Sequence, residues 1–254
     1  MSGSSTADGT APTAMVAIET ATETVGVAVR SPTGLDAEFT LTGRRRHVET
    51  LTPALEHLLG QVGLAPSDIG VVAVDIGPGL FTGLRVGVSA AKGLAQSLGI
   101  GIVGATSLDI LTAAAVAAGH DGPVLACVDA RRGEVFACVR ETTRDATSRR
   151  SVPRDHVGAA LFAPDALVAA LQRLGGTNVV AVGDGAVRYA DTLAAVPGVD
   201  IVTSALTFPP PRTLLDLAAA RLDGGEAPVA PASVVPLYMR EADATSNFER
   251  AARS

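Results

Sequence analysis

The chain has 254 residues, 47% of them hydrophobic, which is enough apolar material for one large core or two small ones. Its 26 acidic and 20 basic residues leave a formal charge of −6, which argues against a surface that grips a phosphate backbone unaided, so any role with RNA is expected to be indirect. Its 2 cysteines, Cys127 and Cys138, sit in adjacent apolar runs with no histidine or further cysteine at metal-ligand spacing, as expected of core residues in a reduced, intracellular protein.

Residues 1–14 are mostly Ser, Thr, Gly and Ala, without a basic start or an apolar core. They predict a disordered leader that is neither a signal peptide nor an anchor. No apolar run approaches the length of about 18 residues that a membrane span requires. Residues 15–20, 25–30 and 35–41 are rich in β-branched residues and broken by Pro32 and Gly34, which predicts an antiparallel meander. In the next stretch Val48, Leu51, Leu55, Leu58, Leu59 and Val62 recur at helical spacing as one apolar stripe. Pro53 either leaves Thr52 to cap a later start or kinks this helix.

Residues 69–76 form an apolar run that predicts a strand covered on both faces. Gly77, Pro78 and Gly79 then force a turn, and a second helix is expected over 82–98, with Leu84, Val88, Ala91, Ala95 and Leu98 on its stripe and Gly99 as its stop. A short strand at 102–104 and an alanine-rich helix at 108–118 follow. Residues 123–128 and 135–139 predict a hairpin around the polar turn 129–134, and the polar stretch 142–155 reads as a surface loop. A helix near 165–174, a strand at 179–182, and helices near 186–195 and 214–222 complete the pattern. Strands followed by alternating helices and strands, occurring twice, predict two related α/β lobes with a boundary near 103–122.

The stretch Gly77-Pro78-Gly79-Leu80-Phe81-Thr82-Gly83-Leu84-Arg85 places glycines between a buried strand and a helix N-terminus, a place where anions can bind. It lacks the Gly-Lys-Ser/Thr ending of a phosphate-binding P-loop, so a structural turn and cap is the competing account. Gly83, Gly87 and Ala90, with Ala91 and Gly93 beside them, make a small-residue strip that something approaches closely, either inside the lobe or from another molecule. The first hairpin, Glu19-Thr20-Ala21-Thr22-Glu23, stands where nucleotide-binding folds of the actin and sugar-kinase type place a phosphate turn. It has no glycine and adds the charge of Glu23, so it reads as a degenerate nucleotide hairpin. His47, His57, His120 and His156 are scattered without a paired-histidine metal motif, and no Gly-x-Ser-x-Gly elbow occurs. His47 is expected at a surface or interface, and Asp75, Asp129 and Glu134 have no catalytic partner by spacing.

Ile18-Glu19-Thr20-Ala21-Thr22, His47-x-Glu49, the Gly77-to-Gly87 run continuing to Ala91-Lys92-Gly93-Leu94-Ala95, Gly104-x-x-Ser107-Leu108, Asp129-Ala130-Arg131-x-Gly133-Glu134-Val135, Gly183-Asp184-Gly185-Ala186 and Pro236-Leu237-Tyr238-Met239-Arg240 together resemble the TsaB (YeaZ) family over residues 15–241. Glu19 and Leu80 depart from the Asp and Ser common there and are reminiscent of the related TsaD. TsaD, however, is longer and carries a paired-histidine metal site that this sequence lacks.

The resemblance implies an α/β, actin-like and sugar-kinase-like fold: an N-terminal lobe at 15–110, a C-terminal lobe at 111–241 and a flexible tail at 242–254. It implies a cytoplasmic, non-catalytic protein that activates TsaD in tRNA threonylcarbamoyladenosine synthesis. TsaE and a TsaC-type synthase would be further partners, tRNA would be met only indirectly, and no membrane would be involved. Pairing with itself or TsaD would use the first two helices, through His47, Leu51, Leu55, Gly83, Arg85, Gly87 and Ala90. Gly87→Arg is then expected to abolish pairing and leave the monomer folded. No cofactor of its own is implied, and ATP or ADP would have a place at the interface of the complex. A peptidase of the glycoprotease-like family and a small-molecule kinase of the same fold are the competing readings.

Overall fold

In a computed structural model the structure describes residues 13–43, 47–144, 151–175, 178–203 and 205–240. The expected tail at 242–254, and all of the expected leader except Thr13 and Ala14, lie outside these residues. The first strand already begins at Ala14.

Two compact units divide the chain, and each contains a five-stranded sheet. In the first unit β1 (Ala14–Glu19), β2 (Thr24–Arg30) and β3 (Asp36–Thr42) form the antiparallel meander, and β4 (Ile69–Asp75) and β5 (Gly101–Ala105) extend it in parallel, giving the order β3-β2-β1-β4-β5. Alternation decides what each face of this sheet meets. Val16, Ile18, Val25, Val27, Val72 and Val74 form one buried cluster with Leu51, Leu58 and Leu59 of α1 (His47–Gln61) and Val88, Ala91 and Ala95 of α2 (Phe81–Leu98). Each such fully buried aliphatic side chain contributes roughly 1.5–3 kcal/mol, so these two stripes anchor both helices.

Two helical expectations change, and the stop at Gly99 stands. Helix α1 starts at His47, so Thr52 caps nothing and Pro53 lies inside the helix. Val48 belongs to no buried stripe and is 73% exposed, because the buried positions run through Leu51, Ala54, Leu58 and Leu59. Helix α2 stops where Gly99 takes φ +68°, a left-handed conformation that costs a residue with a side chain 1–2 kcal/mol or so.

The helix after β5, α3 (Ser107–Ala117), belongs to the second unit, and the Thr106 hydroxyl caps it by accepting the Asp109 N–H. That unit contains β6 (Val124–Arg131), β7 (Glu134–Arg144), β8 (Ser151–Phe162), α4 (Pro164–Gln172), β9 (Val179–Val182), α5 (Asp184–Arg188), α6 (Ala190–Leu193) and β10 (Val199–Ile201). Its sheet order β8-β7-β6-β9-β10 repeats that of the first sheet. Val124, Ala126 and Val128 face α3, while Leu125 and Cys127 face α4 to α6.

The polar stretch 142–155 is not a loop throughout. Strand β7 runs on to Arg144 and β8 begins at Ser151, both polar because they extend the edge of the sheet, with residues 145–150 outside the described set. The helix expected over 186–195 is two short helices that meet at Tyr189. The last helix, α7 (Pro211–Asp223), starts three residues before the expected Leu214, because Pro211 suits a first helical position. It packs on β1, β2, β4 and β5, so Pro210–Val235 belongs to the first unit, whereas the expected lobe boundary kept everything from 111 to 241 together. Each sheet is thus completed by a helix that follows the last strand of the other.

Candidate functional site

The first unit gathers most of the sequence-derived candidates around the β1–β2 turn. Glu19 and Thr20 are 0% and 1% exposed, and Glu19 Oε1 accepts the N–H of Ala21 at 2.8 Å, which closes the turn from within. The Thr20 hydroxyl donates to the Gly83 carbonyl at 2.8 Å. His47 is buried, and its Nε2–H donates to the Thr22 carbonyl at 3.0 Å. The expectation of a surface or interface histidine is therefore corrected: the first residue of α1 is buried and ties the turn to that helix.

The small-residue strip resolves in two directions. A Cβ on Gly83 would overlap the Thr20 carbonyl oxygen, and one on Gly87 would overlap the Thr20 hydroxyl. Both glycines face the chain's own hairpin, and Leu51 is likewise 4% exposed within the core. His47, Leu51, Gly83 and Gly87 are therefore not surface residues of this unit. Gly87→Arg would drive a side chain into the Thr20 turn, so the expected folded but unpaired monomer does not follow. Arg85 is exposed, Leu55 and Ala90 are half-buried, and Gly93 is exposed with open space around its Cα.

Thr20 presents a carbonyl and a hydroxyl to α2, and the hydroxyls of Thr22 and Thr24, both buried, have no hydrogen-bond partner among the described residues. The Gly77-Pro78-Gly79 loop is held as a structural turn. The Ser107 N–H donates to the Gly77 carbonyl and the Ser107 hydroxyl to the Pro78 carbonyl, each at 2.9 Å. This explains Gly104-x-x-Ser107, whose serine clamps the loop. Just past the loop, the ring of Phe81 lies 5.2 Å from that of Tyr238, and both are about half exposed.

In the second unit the β6–β7 turn gives Asp129 and Glu134 ion-pair partners. Asp129, 4% exposed, accepts the backbone N–H and the guanidinium of Arg131, each at 2.9 Å, with Arg188 at 3.4 Å. Glu134 pairs with Arg240, which also donates to the Ala130 carbonyl. Arg131 and Arg132 adopt φ of 64° and 55°, strained for residues with side chains. Asp184, at the start of α5, accepts the Asp129 N–H at 2.9 Å. Burial raises its carboxyl to about 6, and the charge of Asp129 pushes the same way against the backbone bonds that oppose it.

Among the described residues the arrangement offers packing and ion pairing. Burial raises the Cys127 thiol well above its ordinary value and pushes Cys138 up to about 11, so both stay protonated at neutral pH. Among the described residues no group of three or more His, Cys, Asp or Glu could hold a metal ion, and no helix is long and apolar enough to cross a membrane.

Comparison with known proteins adds relatives. The model of the family described as TsaD, tRNA N6-adenosine threonylcarbamoyltransferase, matches residues 40–248. The chain is 30% identical over 226 residues to the tRNA threonylcarbamoyladenosine biosynthesis protein TsaB of Escherichia coli (strain K12), which covers 89% of this chain and 94% of that protein. It is 38% identical over 122 residues to the protein of the same name from Bacillus subtilis (strain 168), a match that spans 48% of this chain and about half, 52%, of that relative. Among solved structures, YeaZ from Pseudomonas aeruginosa is 25% identical with a TM-score of 0.73, covering 89% of this chain and 99% of that one. A further Pseudomonas aeruginosa protein, described as similar to peptidase YeaZ, gives a TM-score of 0.75 at 25% identity, covering 90% of this chain and 100% of that one.

Proposed function

We propose, from the premise that this chain belongs to the TsaB (YeaZ) family, that it acts in the biosynthesis of threonylcarbamoyladenosine in tRNA as a non-catalytic partner that activates a TsaD-type transferase. The observation that carries this reading is the division of α2 into two faces. Gly83 and Gly87 are closed on the chain's own hairpin, while Gly93 is exposed with open space above it and Arg85 and Ser89 are exposed beside it. An interior helical glycine costs roughly 0.5–1 kcal/mol relative to alanine, so an exposed one is best explained by a second backbone that must come close. On α1, Val48 is the matching apolar residue left in solvent, at 73% exposure.

The contact surface is accordingly assigned to Val48 and Leu55 of α1 with Arg85, Ala90 and Gly93 of α2, supported from beneath by His47, Leu51, Gly83 and Gly87. Its occupant is a second copy of this chain or the transferase, which would hold the metal and the substrate. TsaE and a TsaC-type synthase complete the pathway, tRNA is met through the transferase, and ATP or ADP has its place at the interface of the complex.

The test is Gly93→Arg, which replaces a glycine that has free space and therefore leaves the fold intact. Sedimentation of the variant alone and with the cognate transferase is expected to show a folded chain whose association is lost. Association as strong as that of the unaltered chain would contradict the assignment of this face.

A further inference from the structure

We propose that the β1–β2 turn is a positioning wedge, in which Thr20, supported by His47, sets the first turns of α1 and α2 and thereby tunes the affinity of the outer face for its partner. The inference rests on the partner reading above and deepens it by naming residues that never touch the partner.

Four contacts converge on this turn, and all lie within the first unit. The Thr20 hydroxyl donates to the Gly83 carbonyl at 2.8 Å, and the same hydroxyl fills the place where a side chain on Gly87, one helical turn later, would stand. The Thr20 carbonyl fills the corresponding place at Gly83. The His47 ring donates to the Thr22 carbonyl at 3.0 Å, and its Nε2 lies 3.5 Å from the position of a Cβ on Gly83, so the first residue of α1 touches both the turn and the start of α2.

Helix α2 therefore gives up side chains at two interior positions in order to be gripped by a threonine, at an intrinsic cost to the helix. A threonine held between two glycines one turn apart fixes the helix along its axis as well as its distance from the sheet. Arg85, Ser89 and Gly93 ride on the other side of the same rigid rod. A shift of the wedge reaches them, because close-packed interiors transmit strain. The hydroxyl of Thr22, two residues away and equally buried, has no hydrogen-bond partner among the described residues, so the role belongs to one hydroxyl of the turn and not to the turn's polarity as such.

The experiment compares the intact chain with Thr20→Val, Thr20→Ser and Thr22→Val, binding each to itself and to the cognate transferase by calorimetry at a temperature where all are folded. Thr20→Val keeps shape and removes the bond; it is expected to weaken binding about tenfold, with faster amide exchange in residues 82–87 of the free chain. Thr20→Ser is expected to restore binding to within about twofold, and Thr22→Val to leave it unchanged. A role confined to packing would leave affinity intact in all three, and that result overturns the proposal. Equal weakening by Thr22→Val also overturns it. If the unaltered chain binds neither itself nor the transferase, the partner reading fails first, and the wedge falls with it.

Discussion

A half-buried acid that Asn could replace is a residue retained against its own stability. Asp184 accepts the Asp129 N–H, a task that the side-chain oxygen of Asn performs equally well, yet its carboxyl is raised to about 6 by burial and by the neighbouring charge of Asp129. The folded state then binds the proton more tightly than the unfolded chain, whose value is 3.8, so stability is fully present below about pH 4 and is lost as pH rises through about 6. At pH 7.5 Asp184→Asn is expected to raise stability by up to roughly 3 kcal/mol, the linkage equivalent of that shift. Thermal unfolding at several pH values checks this: the variant should unfold at higher temperature at pH 7.5 and lose most of the slope between pH 4 and 6. A variant less stable than the parent at pH 7.5 would contradict the account of this residue.

The residues of the first hairpin show how far single positions can be read in advance. The absence of glycine from Glu19 to Glu23 is legible in the sequence and tells against a phosphate turn. What fills the turn could not be foreseen, because Thr20 meets Gly83 and Gly87 across more than sixty residues of sequence. The small-residue strip was visible, but the choice between inner and outer face was not. Gly83, Gly87 and Gly93 look alike in sequence, and only their surroundings separate them.

At the scale of elements, α1 carries a local conflict. Pro53 lies inside the helix on its exposed side, where it has no N–H to offer the carbonyl one turn back. The buried stripe of Leu51, Ala54, Leu58 and Leu59 outweighs that penalty. Pro53→Ala is expected to stabilise the chain by about 1–3 kcal/mol, as judged by denaturant unfolding. No gain would mean that the first turn of α1 is held by the wedge alone. The same reasoning explains which elements were legible. β1, β2, β4, α2 and β9 announce themselves through strong periodicity and apolar runs. Strand β8 and the end of β7 were not visible because an edge strand with one solvated face carries Arg, Asp and His, which composition assigns to loops.

For the whole molecule, the order of elements predicted a duplicated α/β architecture, and the two sheets share one strand order. Sequence could not show that α3 and α7 each join the unit opposite to the strand before them, since periodicity says that a helix is buried and not against which sheet. The motifs from Ile18 to Arg240 identified the family over most of the chain, and relatives bear this out.

The central claim is that this chain enables a reaction whose chemistry belongs to another subunit. The most direct test is threonylcarbamoyladenosine formation in tRNA by the cognate TsaD-type transferase, TsaC-type synthase and TsaE, with and without this chain. The account predicts modified adenosine only when the chain is present, and strongly reduced product with Gly93→Arg. Equal modification in its absence would contradict the account.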